Sequence, residues 1–97
     1  MPILKKKIII NVHLHDAVFF GETENVQLLI EAGADVNSTS DFCCTPLHEA
    51  ACYGSPEIIK ILLEVRADIH AIDNADNIPL HTAIISQNNE KINFLIE

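Results

Sequence analysis

Three leucine–histidine pairs, Leu14–His15, Leu47–His48 and Leu80–His81, stand 33 residues apart. Sliding the sequence along itself by that interval from Leu14 onward gives 17 identities in 51 comparisons, against roughly 4 expected by chance for such a composition. A fixed period of this length narrows the fold sharply. Each unit must be built alike, and each must bury its apolar face against its neighbours rather than in a central core. With 48% hydrophobic side chains and only 3 Gly and 4 Pro, the 97 residues suit such a stack and argue against a disordered tail.

The middle unit is the most legible. Thr45-Pro46-Leu47-His48-Glu49-Ala50-Ala51-Cys52-Tyr53-Gly54 reads as a short helix. Pro46 is tolerated in the first turn, Ala50 and Ala51 allow a neighbouring helix to approach closely, and Gly54 stops the helix. Ser55-Pro56 is a second start signal, and Ile58, Ile59, Ile61, Leu62 and Leu63 make the helix after it apolar almost all round. The polar stretch from Asp68 to Asn77 must then return the chain to the next helix start, which suits a turn or hairpin. The predicted unit is helix, turn, helix, loop.

This unit resembles the ankyrin repeat, whose length is 33 and whose signature Thr-Pro-Leu-His-x-Ala stands here as Thr45 to Ala50. Gly33-Ala34-Asp35-Val36-Asn37 is similar to the family's loop motif, and residues 73–81 to its hairpin entry. The resemblance implies an all-α fold, a solenoid of stacked helix-turn-helix units joined by hairpin loops. Its frame divides the chain into an N-terminal extension, 1–6, a degenerate first repeat, 7–39, a full second repeat, 40–72, and a truncated third, 73–97.

Departures from the pattern carry expectations. Arg66 stands where the first repeat has Gly33, and Gln87 where the helix-ending glycines Gly21 and Gly54 stand. Positive φ at those sites would cost a side-chain-bearing residue on the order of 1 kcal/mol. Val12 and Ile78 replace Thr45, so the hydroxyl that the family offers to the motif histidine is missing twice. Lys91 occupies the place of Ile58 and weakens the last apolar face. Ile8, Ile9 and Ile10 fall where the family has hairpin residues and are expected to pair there as an incomplete N-terminal cap. The far end, lacking a polar capping repeat, is expected to favour self-association or a missing continuation.

The formal charge of −8 arises from 14 acidic and 6 basic residues, three of the latter grouped at Lys5, Lys6 and Lys7. That field disfavours nucleic acid and favours basic protein partners. The apolar run beside the lysines is too short to export or anchor the chain, so no membrane role is expected. Three cysteines, Cys43, Cys44 and Cys52, include an adjacent pair ill-placed for bridging. They point to reduced thiols and an intracellular, cytoplasmic or nuclear site, with Cys44 read as an exposed, oxidisable thiol.

Chemistry finds little support. Packed helices sit about 8–10 Å apart, whereas zinc ligands lie within about 2.3 Å of the metal. His15, His48 and His81 therefore cannot converge on one ion, and each is expected to bond local backbone or hydroxyl groups. His48 and Cys52, four apart on one helix, could in principle form a thiolate pair, but no orienting group or phosphate loop accompanies them. The expectation is a non-enzyme without cofactors.

Binding is the remaining class. In ankyrin arrays the concave surface is formed by hairpin tips and the ends of the first helices, and here those positions carry Phe19 and Phe20, Cys52 and Tyr53, and Ile85 and Ser86, with Phe42 on a hairpin. Superposition from repeat to repeat should align them as an apolar stripe able to grip a protein or peptide with an exposed apolar anchor. Asp41, Glu49 and Asp76 would form its acidic rim. The competing reading packs Phe19 and Phe20 under Ile8–Ile10. Two rival functions stand beside the binding module: an accessory segment of a larger enzyme or channel, and a structural spacer.

Overall fold

Thr45 and Ser55 start their helices as their chemistry dictates. Both have extended backbone, and their hydroxyls accept hydrogen bonds from the backbone N–H groups of His48 and Ile58, each at 3.3 Å. A proline follows each cap, and a third proline, Pro79, opens its own helix. The computed structural model describes residues 2–86 and 88–96. Six helices follow in order: α1 Pro2–Phe19, α2 Thr23–Glu31, α3 Pro46–Cys52, α4 Pro56–Glu64, α5 Pro79–Ile85 and α6 Asn89–Ile96. There is no strand among the described residues.

The helices form two layers. α1, α3 and α5 pack in succession as the inner layer, and α2, α4 and α6 stack behind them. Each inner helix also packs on the outer helix that follows it. Between the layers runs one apolar seam: Leu14, Val18, Leu47, Ile58, Ile59 and Leu62 are completely buried. Ala50, Ala51 and Ala83 are equally buried, which lets successive inner helices lie close. The body is an elongated block of 41 × 27 × 21 Å.

The loops repeat as faithfully as the helices. Gly33 and Arg66 end α2 and α4 at φ +98° and +66°, and the bonds Ala34 N–H to Leu29 O and Ala67 N–H to Leu62 O, both 3.0 Å, close the same turn twice. Asp35 and Asp68 then accept from the backbone of Asn37 and His70 at 2.9 Å, shaping identical bends. At the hairpin tips, Ser40 N–H donates to Cys44 O and Asp73 N–H to Asn77 O, with Cys43 and Asp76 in the left-handed region at φ +59° and +62°. Neighbouring hairpins are tied by Asn74 N–H to Phe42 O at 3.0 Å.

Two expectations need correction. Ile8, Ile9 and Ile10 do not pair as a hairpin cap; they lie inside α1, which runs unbroken for 18 residues. The physical reason is a missing template: a hairpin here bonds to the one before it, as Asn74 does to Phe42, whereas the first unit has no earlier hairpin among the described residues. A helix satisfies its own backbone, and nothing between residues 3 and 19 breaks one. Gly54, moreover, does not share the left-handed backbone of Gly21 at φ +71°. It is glycine because a Cβ there would approach Ala50 Cα at 2.8 Å. The site of Gln87 lies outside the described residues.

Candidate interaction surface

The motif histidines show how the units are joined. Thr45 N–H donates to His48 Nδ1 at 3.2 Å while the threonine hydroxyl accepts from His48 N–H, a reciprocal capping box in which histidine takes the place usually held by Glu or Gln. With Nδ1 accepting, the ring proton sits on Nε2 and donates to Asn77 O of the next hairpin at 2.7 Å. His15, without a threonine, divides its ring between the next repeat and the loop that ends its own. Its Nδ1 pairs with Glu49 Oε1, and its Nε2 lies 3.1 Å from Ser38 Oγ. His81 is exposed. The expected local bonding holds His48 at Nδ1, but its Nε2, like the Nδ1 of His15, bonds the repeat that follows.

At the ends of the inner helices the chain presents aromatic rings to solvent. Phe19 closes α1 and Phe20 follows it; their rings meet edge-on with centroids 5.0 Å apart. Phe19 also touches Tyr53, at the end of α3, with centroids 4.9 Å apart and planes tilted by 52°. Phe20 and Tyr53 remain 71% and 62% exposed, a cluster built but not covered. Ile8–Ile10 do not lie over it, because they sit about 11 residues up the same helix, roughly 16 Å away at 1.5 Å per residue.

Beyond Tyr53 a groove of about 230 Å³ opens between α3 and α5. Cys52, Tyr53 and Ile85 line it together with Glu49, as the repeat alignment requires. Asp73, Asn77 and Thr82 line it as well and were not anticipated from the sequence. Their signal was positional: Asp73 starts the hairpin, and Thr82 is the 33-residue counterpart of Glu49. Asp41 and Asp76 are not part of this groove; Asp41 lines a separate one beside α1. Phe42 is exposed on its hairpin tip, held by its carbonyl to Asn74, and does not line the groove either.

Hydrogen bonding to the Cys52 thiol, and then the charge that thiol would carry, push the Tyr53 phenol up from its ordinary range. Burial, followed by the carboxylates of Asp73 and Glu49, pushes the Cys44 thiol up too. That corrects the reading of Cys44 as an exposed, oxidisable thiol: it is half-buried and held protonated, whereas its neighbour Cys43 is the exposed one. No set of three His, Cys, Asp or Glu side chains comes together as a metal site among the described residues.

The repeating caps, turns and hairpins decide the family together with one comparison: the profile for ankyrin repeats, in three copies, matches residues 14–97. The chain belongs to the ankyrin-repeat family. No curated protein matches it. Ankyrin repeats are generally modules for protein–protein interaction and not catalysts, and the all-helical, two-layered array is the family's solenoid. No described helix is long and apolar enough to cross a membrane. In this ankyrin array the inner-helix ends carry the exposed Phe19, Phe20 and Tyr53, and a hairpin tip carries the exposed Phe42.

Proposed function

We propose that the chain binds a protein or peptide partner through the face running from Phe19 and Phe20 over Tyr53 and Cys52 to Ile85, with Phe42 at its hairpin edge and no catalysis of its own. One observation carries this reading: Phe19 packs against both Phe20 and Tyr53, and the latter two rings stay largely solvent-exposed beside a groove that joins Cys52 and Ile85 to two carboxylates. Rings pre-packed in this way lose little freedom on binding and supply anchors worth about 2 kcal/mol or more each at interface centres. Glu49 and Asp73 in the groove, within a chain of net charge −8, favour a partner with basic groups around an apolar anchor and disfavour nucleic acid. Three free cysteines suit a reducing, intracellular setting.

Affinity capture from the native cell, with wild type and the double variant Phe20→Ser/Tyr53→Ser side by side, tests the proposal. Both residues are exposed, so helical content by circular dichroism should stay unchanged while capture of the partner falls at least tenfold. Equal capture by the two proteins would make this face a spacer. Capture that depends on sequence beyond residue 97 would make these repeats an accessory segment of a larger protein.

A further inference from the structure

α1 carries a second apolar face that the array does not use. Its buried side is Ile10, Leu14, Ala17 and Val18, which pack into the seam between the layers. On the opposite side of the same helix stand Lys5, Ile8, Ile9, Val12 and Asp16, at the i, i+3, i+4, i+7, i+11 spacing that places residues on one stripe. Ile8, Ile9 and Val12 are 55%, 52% and 54% exposed, and Lys5 and Asp16 are exposed as well. A surface helix ordinarily turns charged and polar residues outward. Here the centre of the outward stripe is apolar, and a charge of opposite sign stands about one turn beyond each end.

We propose that this stripe pairs with the same stripe of a second copy of the chain, the two α1 helices running antiparallel about a two-fold axis. The order of charges selects that arrangement. With Ile8 of one copy opposite Val12 of the other, Lys5 falls beside the other copy's Asp16, and by symmetry Asp16 falls beside its Lys5. A parallel pair would set lysine against lysine and aspartate against aspartate. Beside the stripe, a groove of about 380 Å³ is lined by Ile8, Asn11 and Val12 on one bank and by Asp41 on the other. It gives the second helix a seat and offers Asp41 to that helix's lysines. Three turns of helix make a small interface, so the dimer should be weak, with a dissociation constant on the order of 10–100 µM.

Sedimentation equilibrium of the full chain between about 10 µM and 1 mM spans that range and should show reversible dimers. Val12→Asp should leave a monomer with unchanged circular dichroism. Lys5→Glu and Asp16→Lys should each weaken association about tenfold, and the double variant Lys5→Glu/Asp16→Lys should restore it. Within one chain these side chains are 11 residues apart, roughly 16 Å along the helix. Rescue therefore requires two chains. A monomer at every concentration, association indifferent to Val12→Asp, or a charge swap without rescue would overturn the proposal. So would loss of the dimer in Ile84→Lys but not in Val12→Asp, which would move the interface to the α5 end. A monomer that partitions through α1 onto phosphatidylserine vesicles would assign the stripe to a lipid surface instead.

Discussion

Arg66 occupies the left-handed region, φ +66°, at the turn where the preceding unit has Gly33 at φ +98°. A residue with a Cβ pays about 1–2 kcal/mol there, while glycine loses about 0.5–1 kcal/mol more backbone entropy on folding. The first term is the larger. Arg66→Gly should therefore stabilise the fold by about 0.5–1 kcal/mol, read as a rise in the urea midpoint of about 0.5–1 M for an m-value near 1 kcal/mol/M. This site was legible because the period supplied a glycine for comparison. Cys43 and Asp76 share the same left-handed geometry, yet no unit of this chain has glycine there to signal it. Gly54 shows the reverse: its spacing matched Gly21, but its cause is contact with Ala50 rather than backbone sign, which no alignment of single letters separates.

At the scale of the helix, the caps decide which elements are well defined. Thr45 and Ile78 have nearly the same backbone, φ/ψ −86°/166° and −83°/163°, but only Thr45 caps its helix with a side chain. The Thr45 hydroxyl meets both the His48 N–H, at 3.3 Å, and its Nδ1, at 2.9 Å; Thr45→Val keeps the shape and removes both contacts, so it should cost about 1–2 kcal/mol and shift the His48 Nδ1 resonance in ¹⁵N spectra. Ile78→Val, with no such bond to lose, should cost well under 1 kcal/mol. Lys91 makes a different conflict. It is 6% exposed at the position of the fully buried Ile58, and burial holds its amine below the ordinary lysine range, partly offset by the nearby Cys52. In the window between that lowered value and the unfolded value of about 10.4, the unfolded chain binds the extra proton, so the native protein gains stability as pH rises. Lys91→Leu should be more stable than wild type at pH 7 by about 1 kcal/mol, and the difference should shrink on titration towards pH 10 in parallel urea melts. Five of the six helices follow from the period and the cap residues. The length of α1 did not, because it depends on which neighbour is available to pair with Ile8–Ile10, and that is a fact about the stack rather than about those residues.

Across the whole molecule, one repeat position can be covered by a neighbouring unit or open to solvent, and the same substitution then has opposite consequences. Val18, Ala51 and Ile84 are equivalents at 33-residue intervals. Val18 and Ala51 are completely buried, each in a unit with another stacked beyond it, whereas Ile84 is 51% exposed on the outer side of α5. In the first unit, exposed His13 and Asn25 stand where the middle unit buries Pro46 and Ile58. The stripe of rings was legible for the same reason: exposed positions superpose as reliably as buried ones. Of its acids Glu49, on an inner helix, was legible too, but Asp73 was not, because hairpin geometry, and not helical period, determines that Asp73 reaches the groove and Asp76 does not. The period also fixes the expected energetics. Ala51 lies between α1 and α5, where Ser86 Oγ bonds its carbonyl at 3.2 Å, so Ala51→Ile would force the inner helices apart and should cost about 1–3 kcal/mol by overpacking. Ile84→Ala, the reverse exchange at the equivalent site, removes mostly solvent-facing methyls and should change stability by roughly 0.5 kcal/mol or less. Equal penalties for the two substitutions in urea denaturation would mean that the face around Ile84 is packed against something in solution, and repeating the melt at tenfold dilution would show whether that something is another copy of the chain.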